Sequence, residues 1–525
     1  MQHTVQHTQL SPEQAAQCGM GLAIHARQTP QRLAIQSEHG VRTFDALNAS
    51  ANQLLRALRR RGLRPGDAVA LLCANRPESP ETLIACMRGG LRVTPVNWHL
   101  TPREISYIVD DCEARVLIGD ARFTEALQQV KASCNQALIG LAVGGDIAGF
   151  DRYDAALECE STADPDDAVA GSMMLYTSGT TGHPKGVQRP PNAPPNHQLV
   201  GMLLHANYQP GVSLDLCTGP LYHAAPLWYS MMAPLTCGVG TVLMDRWDPE
   251  KTLEYIEKYR ITHCHMVPTM FHRLLALPEA VRNRHDLSSL KMIIHGAAPC
   301  PIHVKRAMME WVGPIIYEYY GGTEGGACNA TPQEWLQRPG TCGKPLAGVR
   351  ILGEQGEILP AGEIGTVYLP APAEGRFQYF KDPQKTEKAY GGGVSHFTLG
   401  DMGYLDQEGY LYLCDRRTDL IISGGVNIYP AEVDAVFLTH PKVADACTIG
   451  IPDPEWGQQV MTVIEPKTGV EPTDELAEAL LGYCRDQLAR FKCPRRIEFM
   501  ASLPRSEAGK ILRRKVRDHY VEESA

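Results

Sequence analysis

The stretch Tyr176-Thr-Ser-Gly-Thr-Thr-Gly-His-Pro-Lys-Gly186 decides how the rest of the chain is interpreted. Its glycines let backbone amides converge on an anion, its hydroxyl groups add donors, and Lys185 adds a positive charge. The apolar run 169–176 before it is typical of a buried strand. We therefore predict a phosphate-holding loop at the carboxyl end of a strand, where open α/β sheets bind ligands. The candidate phosphate ligands are Thr177, Ser178, Gly179, Thr180, Thr181, Gly182 and Lys185.

A Walker-type phosphate loop is the first alternative. That pattern needs a glycine directly before the lysine and a serine or threonine directly after it. Pro184 and Gly186 occupy those places, so the pattern fails. The second alternative is a flexible surface loop rich in glycine, serine and threonine.

The eleven residues resemble the signature of the adenylate-forming superfamily, which contains acyl-CoA synthetases, peptide-synthetase adenylation domains and beetle luciferases. The resemblance extends from about Leu10 to Arg517. It implies an α/β fold in two parts. Residues 1–417 would form a large compound domain with parallel-rich sheets and helices, which holds ATP and the acyl group. Residues 418–525 would form a small mobile α/β lid.

Local patterns support a βαβ organisation near the N-terminus. Thr43 is placed to cap a helix, and Ala51, Leu54, Leu55 and Leu58 share one face of it. A strand over 68–72 follows, then a helix over 81–87 and a strand over 93–96. Repeated alternation of this kind predicts a largely parallel sheet covered by helices.

Composition limits the classes of function. The 525 residues carry a net charge of -9, which argues against a nucleic-acid binder. The sequence shows no N-terminal leader and no apolar run long enough for a membrane span, so we expect a cytoplasmic protein without integral membrane contact. The 16 cysteines form no CxxC pair, and we expect reduced thiols. His263-Cys264-His265 is expected to serve packing rather than metal binding. A homodimer is compatible with this composition.

The resemblance assigns the nucleotide site residue by residue. Tyr320 would stack on adenine, Thr323 would bond the α-phosphate and Glu324 would hold Mg²⁺, a cation that prefers carboxylate and phosphate oxygens. Asp401 would accept the ribose hydroxyls and Arg416 would reach the same sugar. Small residues at two strand ends would let the nucleotide approach the backbone. They are Gly296, Ala297, Ala298, Pro299 and Gly321.

The acyl side of the site is assigned in the same way. His223 matches a histidine near the carboxylate in acyl-CoA synthetases, where amino-acid-activating domains place an aspartate, so an acid without an α-amino group is expected. Open volume beside small residues, with an apolar wall that includes Met231 and Met232, favours a medium or long fatty acid or a bulky alicyclic acid, hence fatty acid metabolism. The predicted acyl pocket consists of His223, Trp228, Gly296, Gly321 and Gly322.

The predicted lid carries the remaining motifs. Thr418 occupies the hinge position, where the family usually has Asp or Lys. Ser423, Gly424 and Gly425 resemble the segment that approaches CoA after the lid rotates. Lys510 matches the adenylation lysine, and Lys492 resembles a second family lysine. The proline-rich segment 189–195 departs from the family pattern.

Together these motifs predict an ATP-dependent acyl-CoA synthetase that uses ATP, Mg²⁺ and CoA. No carrier domain follows Lys510, so a free acceptor is expected. The alternatives are an acyl-AMP ligase that loads a carrier protein, a luciferase-like oxidase and a non-catalytic nucleotide sensor. The sensor is disfavoured because Lys185, Glu324, Asp401 and Lys510 are all present.

Overall fold

The structure is a computed structural model. It describes residues 11–135, 137–177, 184–191, 193, 197–297, 300, 302–345, 348–353, 355–391, 395–416, 421–428, 430–504, 511 and 513–522. Within these ranges the chain is a mixed α/β protein with a large N-terminal part and a smaller C-terminal part, as the sequence predicts.

The strands are numbered along the chain. They are β1 (Leu33–Ser37), β2 (Gly40–Thr43), β3 (Ala68–Leu72), β4 (Arg92–Pro95), β5 (Ala114–Asp120), β6 (Ile139–Val143), β7 (Asp151–Arg152), β8 (Ser172–Thr177), β9 (Lys185–Gln188), β10 (Leu214–Cys217), β11 (Gly240–Leu243), β12 (His263–Met266), β13 (Met292–His295), β14 (Ile316–Gly322), β15 (Gly325–Ala330), β16 (Thr341–Pro345), β17 (Arg350–Leu352), β18 (Gly365–Pro370), β19 (Gln378–Tyr379), β20 (His396–Leu405), β21 (Leu411–Arg416), β22 (Ile421–Ser423), β23 (Val426–Ile428), β24 (Val443–Asp453), β25 (Gly457–Pro466) and β26 (Arg496–Phe499).

The helices are numbered in the same way. They are α1 (Pro12–Gln17), α2 (Gly21–Gln28), α3 (Phe44–Arg60), α4 (Glu78–Arg88), α5 (Pro102–Asp111), α6 (Thr124–Ser133), α7 (Tyr153–Glu158), α8 (His197–Ala206), α9 (Ala224–Leu227), α10 (Ala233–Thr236), α11 (Pro249–Tyr259), α12 (Pro268–Leu275), α13 (Glu279–Arg282), α14 (Ile302–Val312), α15 (Pro332–Gln337), α16 (Pro383–Ala389), α17 (Pro430–Leu438), α18 (Asp474–Arg485) and α19 (Arg513–Glu522).

The first N-terminal sheet has the order β19-β9-β8-β4-β3-β5-β6-β7. Its strands from β8 to β7 are parallel, whereas β9 and β19 run antiparallel at one edge. The predicted strand over 68–72 is confirmed in full, and that over 93–96 is displaced by one residue. The expected parallel sheet is therefore present, and its β8 strand leads directly into the predicted phosphate loop.

The second sheet has the order β17-β18-β20-β21-β16-β15-β14-β13-β12-β10-β11-β1-β2. Its middle, from β14 to β1, is parallel, and its strands from β15 to β17 are antiparallel. β13 and β14 are neighbours, so the segments that follow them lie at one edge of the sheet. Asp401 lies within β20.

Helix α3 contributes several side chains to the N-terminal core. The Thr43 hydroxyl caps α3 by accepting a 3.2 Å hydrogen bond from the amide of Ala46, as predicted. Ala51, Leu54 and Leu58 on the predicted face are fully buried. They pack in one cluster with side chains from β3, α4 and β11, so α3 fixes the two large sheets against each other.

The C-terminal part has its own sheet of order β23-β22-β25-β24, with β26 beside β25. The sequence patterns of this part predict a helix from Ala431, a helix from Asp474 and a strand near Ile497, and the structure contains all three as α17, α18 and β26. The sequence patterns do not predict β25, which forms the centre of this sheet. The predicted boundary at Thr418 lies outside the described residues.

The run His263 to His265 forms part of β12, an interior strand of the second sheet. His263 Nε2 lies 2.7 Å from the Ala206 carbonyl oxygen, and His265 Nε2 lies 3.2 Å from the Tyr319 hydroxyl. Both histidines are buried, so they serve packing, as expected. In the ranges described above, no cluster of three His, Cys, Asp or Glu side chains could hold a metal ion, and no helix there could span a membrane.

Candidate active site

The base of the predicted phosphate loop is a β-hairpin. Thr177, the last residue of β8, pairs with Lys185, the first residue of β9. Residues 178–183 lie outside the described ranges, and so do the roles predicted for Ser178, Gly179, Thr180, Thr181 and Gly182. The Tyr176 hydroxyl donates a 2.5 Å hydrogen bond to Asp111 Oδ2, which ties the end of β8 to α5. The hairpin therefore presents Lys185 from a strand anchored on both sides.

Tyr379 links two predicted site residues and is absent from the sequence prediction. Its hydroxyl donates a 2.8 Å hydrogen bond to Glu324 Oε1. The centroid of its ring lies 5.2 Å from Lys185 Nζ, within the range of a cation–π interaction. Tyr379 belongs to β19, which pairs with β9 beside Lys185. Lys185, assigned to phosphate, therefore contacts the ring of Tyr379, and Glu324, assigned to Mg²⁺, contacts its hydroxyl.

Glu324 fits a site for a hard cation. Its carboxylate follows β14 in a turn with Thr323 and is only 9% exposed. A Cβ atom added at Gly322 would lie 3.0 Å from Glu324 Oε2. A larger residue at position 322 would therefore crowd that carboxylate oxygen. A partly buried carboxylate near a lysine, with its second oxygen held by a tyrosine, provides the donor type that Mg²⁺ and its phosphate ligands need.

Tyr320 and Asp401 lie in direct contact. The Tyr320 hydroxyl donates a 2.7 Å hydrogen bond to Asp401 Oδ2, and both side chains are buried. The backbone of Asp401 lies opposite Arg416 in the pairing of β20 with β21. The structure thus joins the residues predicted to bind adenine and ribose. The Arg416 side chain lies outside what the structure describes.

Aromatic side chains pack against the strand end at Gly296. A Cβ atom at Gly296 would lie 2.6 Å from the Tyr319 ring, so Tyr319 lies directly against the backbone of this strand end. Tyr319 packs on Tyr229 with ring centroids 4.8 Å apart and contacts His265. Ala297 has a φ of 68° and is exposed, while Ala298 and Pro299 lie outside the described residues.

Two other parts of the predicted acyl pocket have different surroundings. A Cβ atom at Gly322 would meet the Leu399 side chain at 3.0 Å as well as Glu324, so Gly322 borders both side chains. Met231 is fully buried in the N-terminal core and cannot line a cleft. Trp228 is half-buried and opens a π-helical turn over 228–232, a feature frequent at functional sites.

A buried ionic group supports the ends of β13 and β14. Lys305 Nζ lies 2.7 Å and His295 Nε2 lies 3.3 Å from Glu318 Oε2. Burial opposes ionisation of Glu318, but Lys305 and His295 outweigh it and lower its pKa to about 2. Because Lys305 and His295 are fully buried, this group fixes β14 immediately before Tyr319 and Tyr320.

His223 ends the turn that follows β10 and caps α9. The residue is exposed, and desolvation by the surrounding protein atoms, followed by neighbouring His99, lowers the pKa of His223 to about 4. Its ring centroid lies 4.5 Å from that of Tyr222, which makes an edge contact of 4.6 Å with Trp98. At neutral pH His223 is therefore an uncharged hydrogen-bonding group at the edge of an aromatic cluster.

The C-terminal part contacts the site edge of the second sheet. The turn between β22 and β23 contains Gly424 and Gly425. A Cβ atom at Gly425 would lie 3.6 Å from Val267, the residue after β12. The segment predicted to approach CoA, from Ser423 to Gly425, therefore lies at the carboxyl end of a parallel strand. Lys510 and Thr418 lie outside the described residues.

Comparisons with protein families agree with this geometry. Residues 22–374 match the model of the AMP-binding enzymes, and residues 432–510 match that of the AMP-binding enzyme C-terminal domain. The two matches lie on either side of the segment 375–431, which contains the predicted hinge.

Individual relatives match over nearly the whole chain. A 2-succinylbenzoate–CoA ligase of Geobacillus kaustophilus is 34% identical over 93% of this chain and 95% of its own. A fatty acid–[acyl-carrier-protein] ligase of Streptomyces coeruleorubidus is 31% identical, covering 96% of each chain. The structure of an amide bond synthetase from Marinactinospora thermotolerans superposes with a TM-score of 0.83 at 27% identity, covering 95% of this chain and 100% of that one.

Proposed function

The chain belongs to the AMP-binding enzymes, and from that premise we propose that it is an AMP-forming acid–CoA ligase. The observation that carries the proposal is the arrangement of Lys185, Tyr379 and Glu324, together with the hydrogen-bonded pair of Tyr320 on β14 and Asp401 on β20. A charged group, a carboxylate and a flat aromatic ring at strand ends suit a nucleoside triphosphate with its Mg²⁺.

In the proposed first step, a carboxylate oxygen of the acid attacks the α-phosphorus of ATP, and pyrophosphate departs with its bonding electron pair. This reaction depends mainly on positioning and on neutralising charge on phosphoryl oxygens. Lys185 and the loop that precedes it would hold the leaving phosphates, and Thr323 the α-phosphate. Bound Mg²⁺, held through Glu324, supplies further neutralisation. Lys510 would contact both the carboxylate and the α-phosphate.

Tyr320 and Asp401 would hold the nucleoside, together with Arg416 and the segment Gly296 to Pro299. The 2.7 Å hydrogen bond between Tyr320 and Asp401 fixes the ring before the nucleotide arrives, and preorganisation of this kind lowers the cost of binding. His223, uncharged because its pKa is about 4, would accept or donate one hydrogen bond to the acid. A neutral group avoids a tight ion pair with the carboxylate that must act as nucleophile.

In the proposed second step, the thiolate of CoA attacks the acyl-AMP carbonyl and AMP departs. The contact of the Gly425 turn with Val267 supports assigning the present arrangement to this step, because it brings the segment Ser423 to Gly425 to the site edge. Rotation about Thr418 would exchange this arrangement for one in which Lys510 reaches the site. The units 1–417 and 418–525 would move as bodies.

For the acid, we propose a hydrophobic carboxylic acid with a compact ring. Tyr319 packs against Gly296, and Tyr229 and His265 contact Tyr319, so aromatic side chains cluster beside this strand end. Ring faces also pair well with aromatic substrates. The relative from Geobacillus kaustophilus is named for an aromatic acid. A fatty acid or a bulky alicyclic acid is the competing class.

A carrier-protein acceptor is the second candidate, because the Streptomyces coeruleorubidus relative is named as an acyl-carrier-protein ligase. The test is pyrophosphate release with MgATP across acetate, benzoate, phenylacetate, 2-succinylbenzoate, octanoate and palmitate, with and without CoA. The proposal expects the largest CoA-dependent release with a ring acid. Release that never depends on CoA would favour the carrier-protein candidate, and release only with palmitate would refute the ring assignment.

A further inference from the structure

A buried ionic group joins the N-terminal and C-terminal parts. Lys492 Nζ donates 2.8 Å hydrogen bonds to Glu104 Oε1 and to Glu432 Oε1. Lys492 and Glu432 belong to the C-terminal part, and Glu104 belongs to α5, 388 residues away from Lys492. The three residues are 3%, 5% and 9% exposed in the order Lys492, Glu432, Glu104, so water is largely excluded from a charged contact between two parts.

This contact differs from an exposed ion pair that also joins the two parts. Arg273 donates to Glu455 at 2.9 Å, but the two side chains are 35% and 54% exposed. Exposed ion pairs of this kind contribute little to stability. The pair of Lys492 and Glu104 is shielded from water, so its electrostatic attraction is stronger. The charge of Glu104 can therefore influence where the C-terminal part lies.

Glu104 is oriented independently of Lys492. Its Oε2 accepts 2.8 Å hydrogen bonds from the amide and the hydroxyl of Thr101 in a capping box at the start of α5. This leaves Oε1 for Lys492. Thr101 Oγ1 also approaches the carbonyl oxygen of Gln487 at 3.4 Å, which adds a second contact to the same surface. The acceptor is therefore in place before the C-terminal part docks.

Lys492 likewise keeps a partner when the two parts separate. Its bond to Glu432 lies wholly within the C-terminal part. Burial disfavours the ammonium ion, but Glu432 and Glu104 outweigh it and raise the pKa of Lys492. When the two parts separate, the hydrogen bond between Lys492 and Glu104 is lost and water contacts both groups. No buried charge is left unpaired. Such a contact can form and break in each catalytic cycle.

We propose that Glu104 is a positioning residue for thioester formation: it receives Lys492 and holds the C-terminal part in the arrangement described here. The proposal rests on the two-step function given above. Because the contact belongs to one arrangement, its loss should slow the second step and spare the first. A residue that only supports the fold would affect both steps equally.

The test is Glu104→Gln, which removes the charge yet keeps a side chain that can form the capping box. Glu334→Gln is the matched control, because Glu334 makes the same capping box with Thr331 at the start of α15, away from the C-terminal part. The first step is followed as pyrophosphate release from MgATP and the best acid of the panel. The second is followed as acyl-CoA formation from supplied acyl-AMP and CoA.

For Glu104→Gln we expect the second step to slow about 5- to 20-fold, within the usual range of coupling between two states, while the first changes less than twofold. Glu334→Gln should leave both steps within twofold of the wild type. A parallel loss of both steps in Glu104→Gln, or no change in either, would overturn the proposal.

A second readout needs no substrate. Brief acetylation with succinimidyl acetate, followed by mass spectrometry, compares Lys492 with exposed Lys258. The ratio of Lys492 acetylation to Lys258 acetylation should be several-fold higher in Glu104→Gln than in the wild type. It should equal the wild-type ratio in Glu334→Gln. Equal ratios in the two variants would overturn the assignment of Glu104. This readout remains decisive even when no acid supports turnover, an outcome that would count against the proposed function alone.

Discussion

The Tyr320 hydroxyl donates a 2.7 Å hydrogen bond to Asp401 Oδ2 and so joins β14 to β20 inside the second sheet. The two residues lie 81 positions apart in sequence. Their contact couples the aromatic ring assigned to adenine with the carboxylate assigned to ribose. In the proposed nucleoside site, one half therefore fixes the other.

Replacing Tyr320 with Phe should raise the KM for ATP about tenfold or more, because a hydrogen bond to a charged carboxylate contributes about 1.5–3 kcal/mol. The KM for the acid should not change, since the acid lies elsewhere in the proposed site. Steady-state kinetics with each substrate varied in turn measures both constants. In a double-mutant cycle with Asp401→Asn, a coupling energy near zero would contradict the paired role.

Replacing Tyr379 with Phe should slow pyrophosphate release about tenfold and raise the Mg²⁺ concentration needed for half-maximal rate, because a hydrogen bond to a charged group contributes about 1.5–3 kcal/mol. The ring that faces Lys185 would remain. Tyr390→Phe is the control, since that hydroxyl donates to the Phe377 carbonyl oxygen at 3.0 Å. An unchanged Mg²⁺ dependence in Tyr379→Phe would argue against a link between Tyr379 and metal binding.

The contact of Tyr379 with Glu324 could not be predicted from the sequence. The capped helix α3 and the strand β3 depend on local patterns, and both were predictable. Tyr379 lies 55 residues from Glu324 and contacts it only because β19 pairs with β9. A two-residue strand carries no periodicity from which that pairing could be inferred.

The contact between Tyr319 and Gly296 has a similar explanation. A small residue at a strand end predicts space beside the backbone, but the sequence does not indicate which side chain enters that space. Tyr319 extends from the neighbouring strand β14 and occupies it. The contact between Glu104 and Lys492 spans 388 residues and depends on how the two parts meet, so no local pattern indicates it.

Replacing Lys305 with Met should lower the free energy of unfolding by about 3–5 kcal/mol, because Glu318 would lose the main partner of a buried charge. The added change Glu318→Leu should recover much of that loss. The stabilising effect of Glu318 exists above about pH 4.3, the pKa of an unfolded glutamate, and fades as the pH falls toward 2. Urea denaturation measures these values, with Lys258→Met as a surface control. A loss below 1 kcal/mol in Lys305→Met would contradict the buried ionic role.

His223 should not produce an acid limb near pH 6.5 in the rate profile. Its pKa of about 4 keeps the imidazole neutral from about pH 5 upward, whereas an unfolded histidine titrates near 6.5. Between these values the unfolded chain binds the proton more tightly, so His223 lowers stability as the pH falls through this window. His223→Gln should slow turnover yet leave the limbs between pH 5 and 8 in place. A limb near 6.5 that disappears in this variant would contradict the account.

The most direct test of the central claim follows oxygen from the acid. The acid with the fastest CoA-dependent pyrophosphate release is labelled with ¹⁸O in both carboxylate positions and converted with unlabelled ATP, Mg²⁺ and CoA. Attack of the carboxylate on the α-phosphorus predicts one ¹⁸O atom in each AMP released, detected by mass spectrometry. Unlabelled AMP, or ADP with ¹⁸O in inorganic phosphate, would contradict an acyl-AMP intermediate.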